Sequence, residues 1–168
     1  MKFDKGERFN ADQVFMMAER VEQNAADFYT KAAALHSATQ DVEFLRRLAK
    51  TERDHKAVFG AMRKKLPARG KLPPDEYPYL KATLFLNTIA DAGAGEGSLS
   101  TATPLTKSDS LEDLVRKGIR LEIEAIAFYT GLRALVPVSL GKRRIDTIIA
   151  EEQRHMVELA WCLRQMRR

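Results

Sequence analysis

Four stretches of the chain place apolar residues at steps of three and four, the spacing that lines one face of a helix. In the first, Val14, Ala18, Val21, Ala25, Phe28, Tyr29, Ala32 and Leu35 make the stripe, predicting a helix over about 10–36. The second carries Phe44, Leu45, Leu48, Phe59 and Met62 and predicts a helix over about 40–65. Ser37 and Gln40 have the spacing of a capping box at its start, and Leu66 and Pro67 mark its end. In the third, Leu114, Val115, Gly118, Leu121, Ala125, Phe128, Tyr129, Leu132 and Leu135 follow acidic residues just after Ser108 to Ser110, so a helix is expected over about 109–135. The fourth is expected to open after Pro137 and Ser139 and to run over about 139–167, with Ile145, Ile148, Ile149, Met156, Leu159, Leu163 and Met166 on its apolar face.

Residues 66–108 separate the second and third helices and are rich in Pro and Gly at both ends. A connection of this length crosses a bundle or performs a task, and its apolar centre allows a short helix near Tyr79 to Ala90. Neither helical hairpin has a second layer on which to bury its stripe, so the two are expected to pack together. The expectation is an all-α four-helix bundle, two antiparallel hairpins joined by a long crossover, in one domain over residues 1–168.

Charge interrupts every stripe. Glu22 falls in the first, Glu52 and His55 in the second, Glu122 in the third, and Glu152 and His155 in the fourth. These six positions and the tyrosines Tyr29 and Tyr129 repeat at an offset of one hundred residues. Within each half the first glutamate precedes the second by thirty residues, and the midpoints, Ser37 and Pro137, fall on the predicted turns. In an antiparallel pair, residues equally far from the turn lie level, and residues three apart share a face. All six groups should therefore meet in one layer. Four carboxylates buried together cost heavily unless cations neutralise them, and two imidazoles add nitrogen ligands for transition metals. A pair of divalent ions resolves the conflict. A lone Glu-x-x-His is more often a surface pair; here stripe position, duplication and equal spacing act together. One Glu from each of two helices with Glu-x-x-His from each of the other two matches the ligand pattern of di-iron and di-manganese carboxylate bundles.

Composition narrows the remaining classes. A hydrophobic fraction of 45% with 30% charged residues is that of a folding globular chain. Cys162 is the only cysteine, which excludes an internal disulfide and multi-cysteine metal patterns and points to a reducing compartment, with the cytoplasm expected. No uncharged apolar run reaches the roughly eighteen residues of a membrane span, and the start "MKFDKGERFNADQ" is too charged for a signal peptide. The net charge of +5 comes from basic residues mixed with 23 acidic ones, a solvated surface rather than a nucleic-acid footprint. Tyr29 and Tyr129 either pack or hydrogen-bond a ligand carboxylate of the other half. Glu151 either receives the second ring N–H of His55 across the bundle or faces solvent, and its counterpart is Thr51, an asymmetry that would make two metals unequal. His36 is expected in a turn, Cys162 as an ordinary thiol, and Glu19, Glu124 and Glu158 as solvated neighbours of the stripes.

The segments "VFMMAERVEQNAADFYTKAAALHSATQDVEFLRRLAKTERDHKAVFGAM" and "LVRKGIRLEIEAIAFYTGL", followed by "IDTIIAEEQRHMVELA", resemble the rubrerythrin branch of the ferritin-like superfamily. The motif carrying the likeness is E-x-x-A-x-x-F-Y with E-x-x-H thirty residues on, occurring twice. The resemblance implies that Glu22, Glu52, His55, Glu122, Glu152 and His155 are metal ligands, with Glu52 and Glu152 as the bridging, catalytic pair. It implies two iron ions, with manganese or a mixed pair as the alternative. It also implies reduction of hydrogen peroxide or dioxygen in oxidative-stress defence, with electrons from an external electron-transfer protein. Two features depart from rubrerythrins proper: the four cysteines of a rubredoxin domain are missing, and Ala125 stands where they carry a further glutamate. The four-Glu, two-His set is similar to that of bacterioferritins, with a longer crossover than a cage needs. An iron-storage module and a di-iron hydroxylase acting on a lipid-like substrate, lined by Tyr79 to Ala90, stand as alternatives. A homodimer is expected, without nucleic acid and without a membrane span.

Overall fold

The computed structural model describes residues 11–36, 41–66 and 105–166. Four helices make up the described chain: α1 Ala11–Leu35, α2 Asp41–Arg63, α3 Leu111–Leu135 and α4 Lys142–Gln165. No strand occurs among the described residues. The expected Ser37 and Gln40 capping box and the short helix near Tyr79 to Ala90 lie outside them.

Local chemistry sets the helix ends that are described. Ser110 caps α3: its hydroxyl accepts the Asp113 amide N–H at 3.1 Å, and the Asp113 carboxylate accepts the Ser110 amide N–H at 3.0 Å. This reciprocal pair satisfies two donors that a helix start otherwise leaves open. At the other end, Pro137 excludes the helical conformation from the residue before it, and Val136 is extended at φ −92°, ψ 120°.

The fourth helix begins later than its sequence suggests. Ser139 was the expected opening, but Val138–Leu140 form a single 3-10 turn and α4 starts at Lys142. Gly141, at φ 104°, redirects the chain between them. A Cβ at Gly141 would lie 3.1 Å from the Met62 methyl carbon, so the end of α2 packs on this turn and glycine is required for both conformation and space.

The helices α1 with α2 and α3 with α4 form the two hairpins; α1 also packs on α3, and α2 on α4. Tyr29, seven residues after Glu22, meets Glu122, while Tyr129, seven after Glu122, meets Glu22. Helices α1 and α3 therefore run in opposite directions, and the halves are related by an approximate two-fold axis through the middle of the bundle. On one side of that middle lies an apolar cluster that includes Phe15, Phe59, Phe128, Tyr129, Leu132 and Ile145. On the other lies one that includes Phe28, Tyr29, Leu45, Leu48, Leu114 and Leu159. Each such side chain contributes about 1.5–3 kcal/mol on full burial, against about 1 kcal/mol or less for exposed ion pairs such as Arg47 with Glu158. Apolar burial thus holds the bundle, and the two clusters close off the polar layer between them. Among the described residues no helix is long and apolar enough to cross a membrane.

Candidate metal centre

The polar layer contains six ionisable side chains, none more than 4% exposed: Glu22 on α1, Glu52 and His55 on α2, Glu122 on α3, Glu152 and His155 on α4. Their atoms fall into two overlapping groups of four, Glu22, Glu52, His55 and Glu152, and Glu52, Glu122, Glu152 and His155. Within each group one ligand atom per residue lies within 4.8 Å of all the others, close enough to hold a metal ion.

Glu52 and Glu152 belong to both groups because each turns one oxygen toward each histidine. Glu52 presents Oε2 to His55 Nδ1 at 3.4 Å and Oε1 to His155 Nδ1 at 3.2 Å. Glu152 presents Oε1 to His55 Nδ1 at 2.9 Å and Oε2 to His155 Nδ1 at 3.0 Å. Glu22 approaches only His55, at 3.8 Å, and Glu122 only His155, at 3.9 Å. The imidazole rings face one another with centroids 6.0 Å apart.

The fit to a cation is visible in atoms that lack another partner. Glu52 Oε1, Glu152 Oε1 and His55 Nδ1 are fully buried and make no aligned hydrogen bond, although they lie within ionic reach of one another. Buried polar atoms are ordinarily hydrogen-bonded. Carboxylate oxygens and ring nitrogens converging on common points are the donor set a metal ion requires.

Two phenols support the carboxylates that do not bridge. Tyr29 donates its hydroxyl to Glu122 Oε1, and Tyr129 donates to Glu22 Oε1 at 2.6 Å, so each half steadies the other's glutamate. Both tyrosines are wholly buried. Gly118 makes room for the first of them: a Cβ there would lie 3.2 Å from the Tyr29 hydroxyl. Glu151 lies across the bundle with Oε2 at 2.6 Å from His55 Nε2, in a bond the ring N–H donates. Thr51, its counterpart, donates its hydroxyl to the Arg47 carbonyl of its own helix at 3.2 Å, the back-bonding a short side chain prefers in a helix.

Burial and charge set opposing protonation states within the layer. Glu22 is pushed well above the usual carboxylate range by burial and by the charges of Glu152 and Glu52. Burial and the charges of Glu52 and Glu152 do the same to Glu122. Burial favours neutral imidazoles, yet the close carboxylates of Glu152 and Glu52 outweigh it and lift His55 to about 12 and His155 to about 9. Burial also opposes the charge of Glu52, but His155 and His55 hold it down at about 2. Burial first, and then the charge of Glu122 beside Tyr29 and of Glu22 beside Tyr129, keep both phenols protonated as donors. Without metal, protons on the imidazoles and on Glu22 and Glu122 take the place of cations in neutralising the layer.

A cavity of about 20 Å³ opens on the side away from the histidines, at the seam of α1 and α3. Glu22, Glu52 and Glu122 form its polar floor, and Val21, Ala25, Leu121 and Ala125 its apolar walls. It has room for about one water-sized molecule. Glu124 also lines it; Glu124, Glu19 and Glu158 are all half-buried, where sequence periodicity suggested solvated side chains, and Glu19 and Glu158 pair with Arg63 and Arg47. Cys162 is half-buried, packed against the second apolar cluster. His36 donates Nε2–H to the Asp109 carbonyl at 3.2 Å, tying the end of α1 to the approach to α3, a link that residue spacing does not signal.

The fold and this layer define an all-α four-helix bundle with a buried carboxylate and imidazole cluster that can hold a metal ion. No protein-family model, no curated protein and no solved structure matches the chain.

Proposed function

We propose that this protein is a dinuclear metal protein of the rubrerythrin type, which reduces hydrogen peroxide or dioxygen with electrons from an external donor. One observation carries the reading: Glu52 and Glu152 each divide their two oxygens between His55 and His155. Carboxylates so placed could each serve two ions at once, which supports a site for two. Four carboxylates and two neutral imidazoles also balance two divalent charges. An oxygen-rich set with one nitrogen per ion suits iron or manganese.

Two ferrous ions, when bound, supply one electron each, and hydrogen peroxide takes up those two electrons with two protons to give two waters. The chain does the rest. Glu22 and Glu122 complete the two ligand sets, oriented by Tyr129 and Tyr29. The apolar clusters on both sides exclude bulk water, which strengthens the electrostatic grip of the carboxylates. The small cavity beside Glu22, Glu52 and Glu122 favours an oxidant of a few atoms over a lipid-sized substrate. Turnover also needs re-reduction of the ions, which a separate electron carrier would supply.

The test is anaerobic loading with two ferrous ions per chain, followed by rapid mixing with hydrogen peroxide. Oxidation should be much faster than that of the same ferrous ions in buffer. Equal rates would refute the peroxidase reading.

A further inference from the structure

The halves of the site match at all six ligating positions and at both phenols, and they part at the partner of the histidine. His55 Nε2–H donates to Glu151 Oε2 at 2.6 Å. Its other nitrogen, Nδ1, is thereby the one that faces Glu52 and Glu152. The residue related to Glu151 by the internal repeat is Thr51, whose hydroxyl is engaged with the Arg47 carbonyl. A threonine has no carboxylate to offer His155.

We propose that the two metal positions are unequal and fill in order, the one formed by His55 with Glu22 before the one formed by His155 with Glu122. This rests on the dinuclear reading above. Glu151 acts through His55 in three ways. It fixes the orientation of the ring, it places the hydrogen on Nε2 so that the Nδ1 lone pair points at the metal position, and its charge makes that nitrogen a stronger donor. Loss of such a partner costs about 10–100-fold in metal affinity. Arg154, 3.8 Å from the other oxygen of Glu151, and partial exposure of Glu151 damp its charge, so a separation toward about 10-fold is expected. A chain holding one ion therefore holds it beside His55.

Titration of the metal-free protein with cobalt(II), followed by visible absorbance, should show two steps separated by about 10-fold or more. Anomalous scattering at one equivalent should place the ion next to His55. Glu151→Thr makes the halves alike and should weaken the first step by about 10-fold, leaving the second in place and merging the two. Thr51→Glu should instead tighten the second step. Glu151→Gln keeps an acceptor without the charge and should fall between wild type and Glu151→Thr, which separates orientation from electrostatics. Circular dichroism of the metal-free variants checks that each is folded. Equal steps in the wild type, filling of the His155 position first, or equal weakening of both steps by Glu151→Thr would each overturn the proposal. Absence of any cobalt binding would refute the dinuclear reading itself and this inference with it.

Discussion

Metal uptake by this site must expel protons, and their number follows from the geometry. At pH 7 both imidazoles are charged, with His55 at about 12 and His155 at about 9. Both turn Nδ1 toward the carboxylates, and a nitrogen must lose its proton before it binds a metal. The two imidazoles alone should release about two protons per chain when the site fills at pH 7. Glu22 and Glu122, whose titrations are displaced well upward, add theirs wherever they are still protonated and bring the count toward about four. Affinity therefore rises with pH. With about two protons displaced, the constant for filling both positions climbs about 100-fold per pH unit near neutrality. Above about pH 9 His155 is already neutral while His55 is still charged, and the dependence falls toward about 10-fold per pH unit. Calorimetric titration with zinc in buffers of different ionisation enthalpy reads the count directly. Glu122→Gln should lower the count by about one where that carboxyl is protonated and leave the imidazole share near two. A count near zero at pH 7 would refute the assignment of His55 and His155 as ligands that exchange protons for metal.

The same shifts fix how stability varies with pH. The contribution of His155, raised from 6.5 to about 9, is complete below pH 6.5 and is lost as pH rises through 9. That of Glu52, lowered from 4.5 to about 2, is present above pH 4.5 and is lost as pH falls toward 2. Glu22 and Glu122 favour their protonated forms, so their contribution too erodes as pH rises above 4.5. Metal should accordingly raise the melting temperature more at pH 8 than at pH 6, by about 2–4 °C per kcal/mol gained, measured by differential scanning fluorimetry. Tyr29→Phe and Tyr129→Phe each leave a buried carboxylate oxygen without its donor and should cost about 1–3 kcal/mol in chemical denaturation, to similar extents. Ala125→Leu should fill the cavity at the α1–α3 seam and slow oxidation of the loaded protein by peroxide while leaving the metal content unchanged. Gly141→Ala should destabilise by about 1–2 kcal/mol, since it puts a side chain at φ 104° and against Met62.

Much of this layer was legible because its signals are periodic. A stripe interrupted by Glu22 or Glu122 conveys both burial and chemistry, and the thirty-residue spacing about a turn places the partner on the next helix. Other features depend on distances no spacing encodes. The cavity lies between α1 and α3, lined by the small Ala25 and Ala125 and by the half-buried Glu124. The late start of α4 comes from Gly141 in the left-handed region, where a helix opening at Ser139 was the simpler expectation. Two choices left open by residue type were resolved by geometry: Tyr29 and Tyr129 reach across the halves, and Glu151 accepts from His55 while its side chain stays partly exposed. The position of Thr51 against the Arg47 carbonyl follows from side-chain length.

The central claim is that six buried side chains hold two metal ions, bridged by Glu52 and Glu152. Its most direct test is metal analysis of the crystallised protein, made with ample iron, with anomalous scattering recorded at the iron and manganese edges. Two peaks per chain are expected, each adjoining one histidine, with Glu52 and Glu152 between them. A single peak elsewhere, or none even after anaerobic reconstitution, would contradict it.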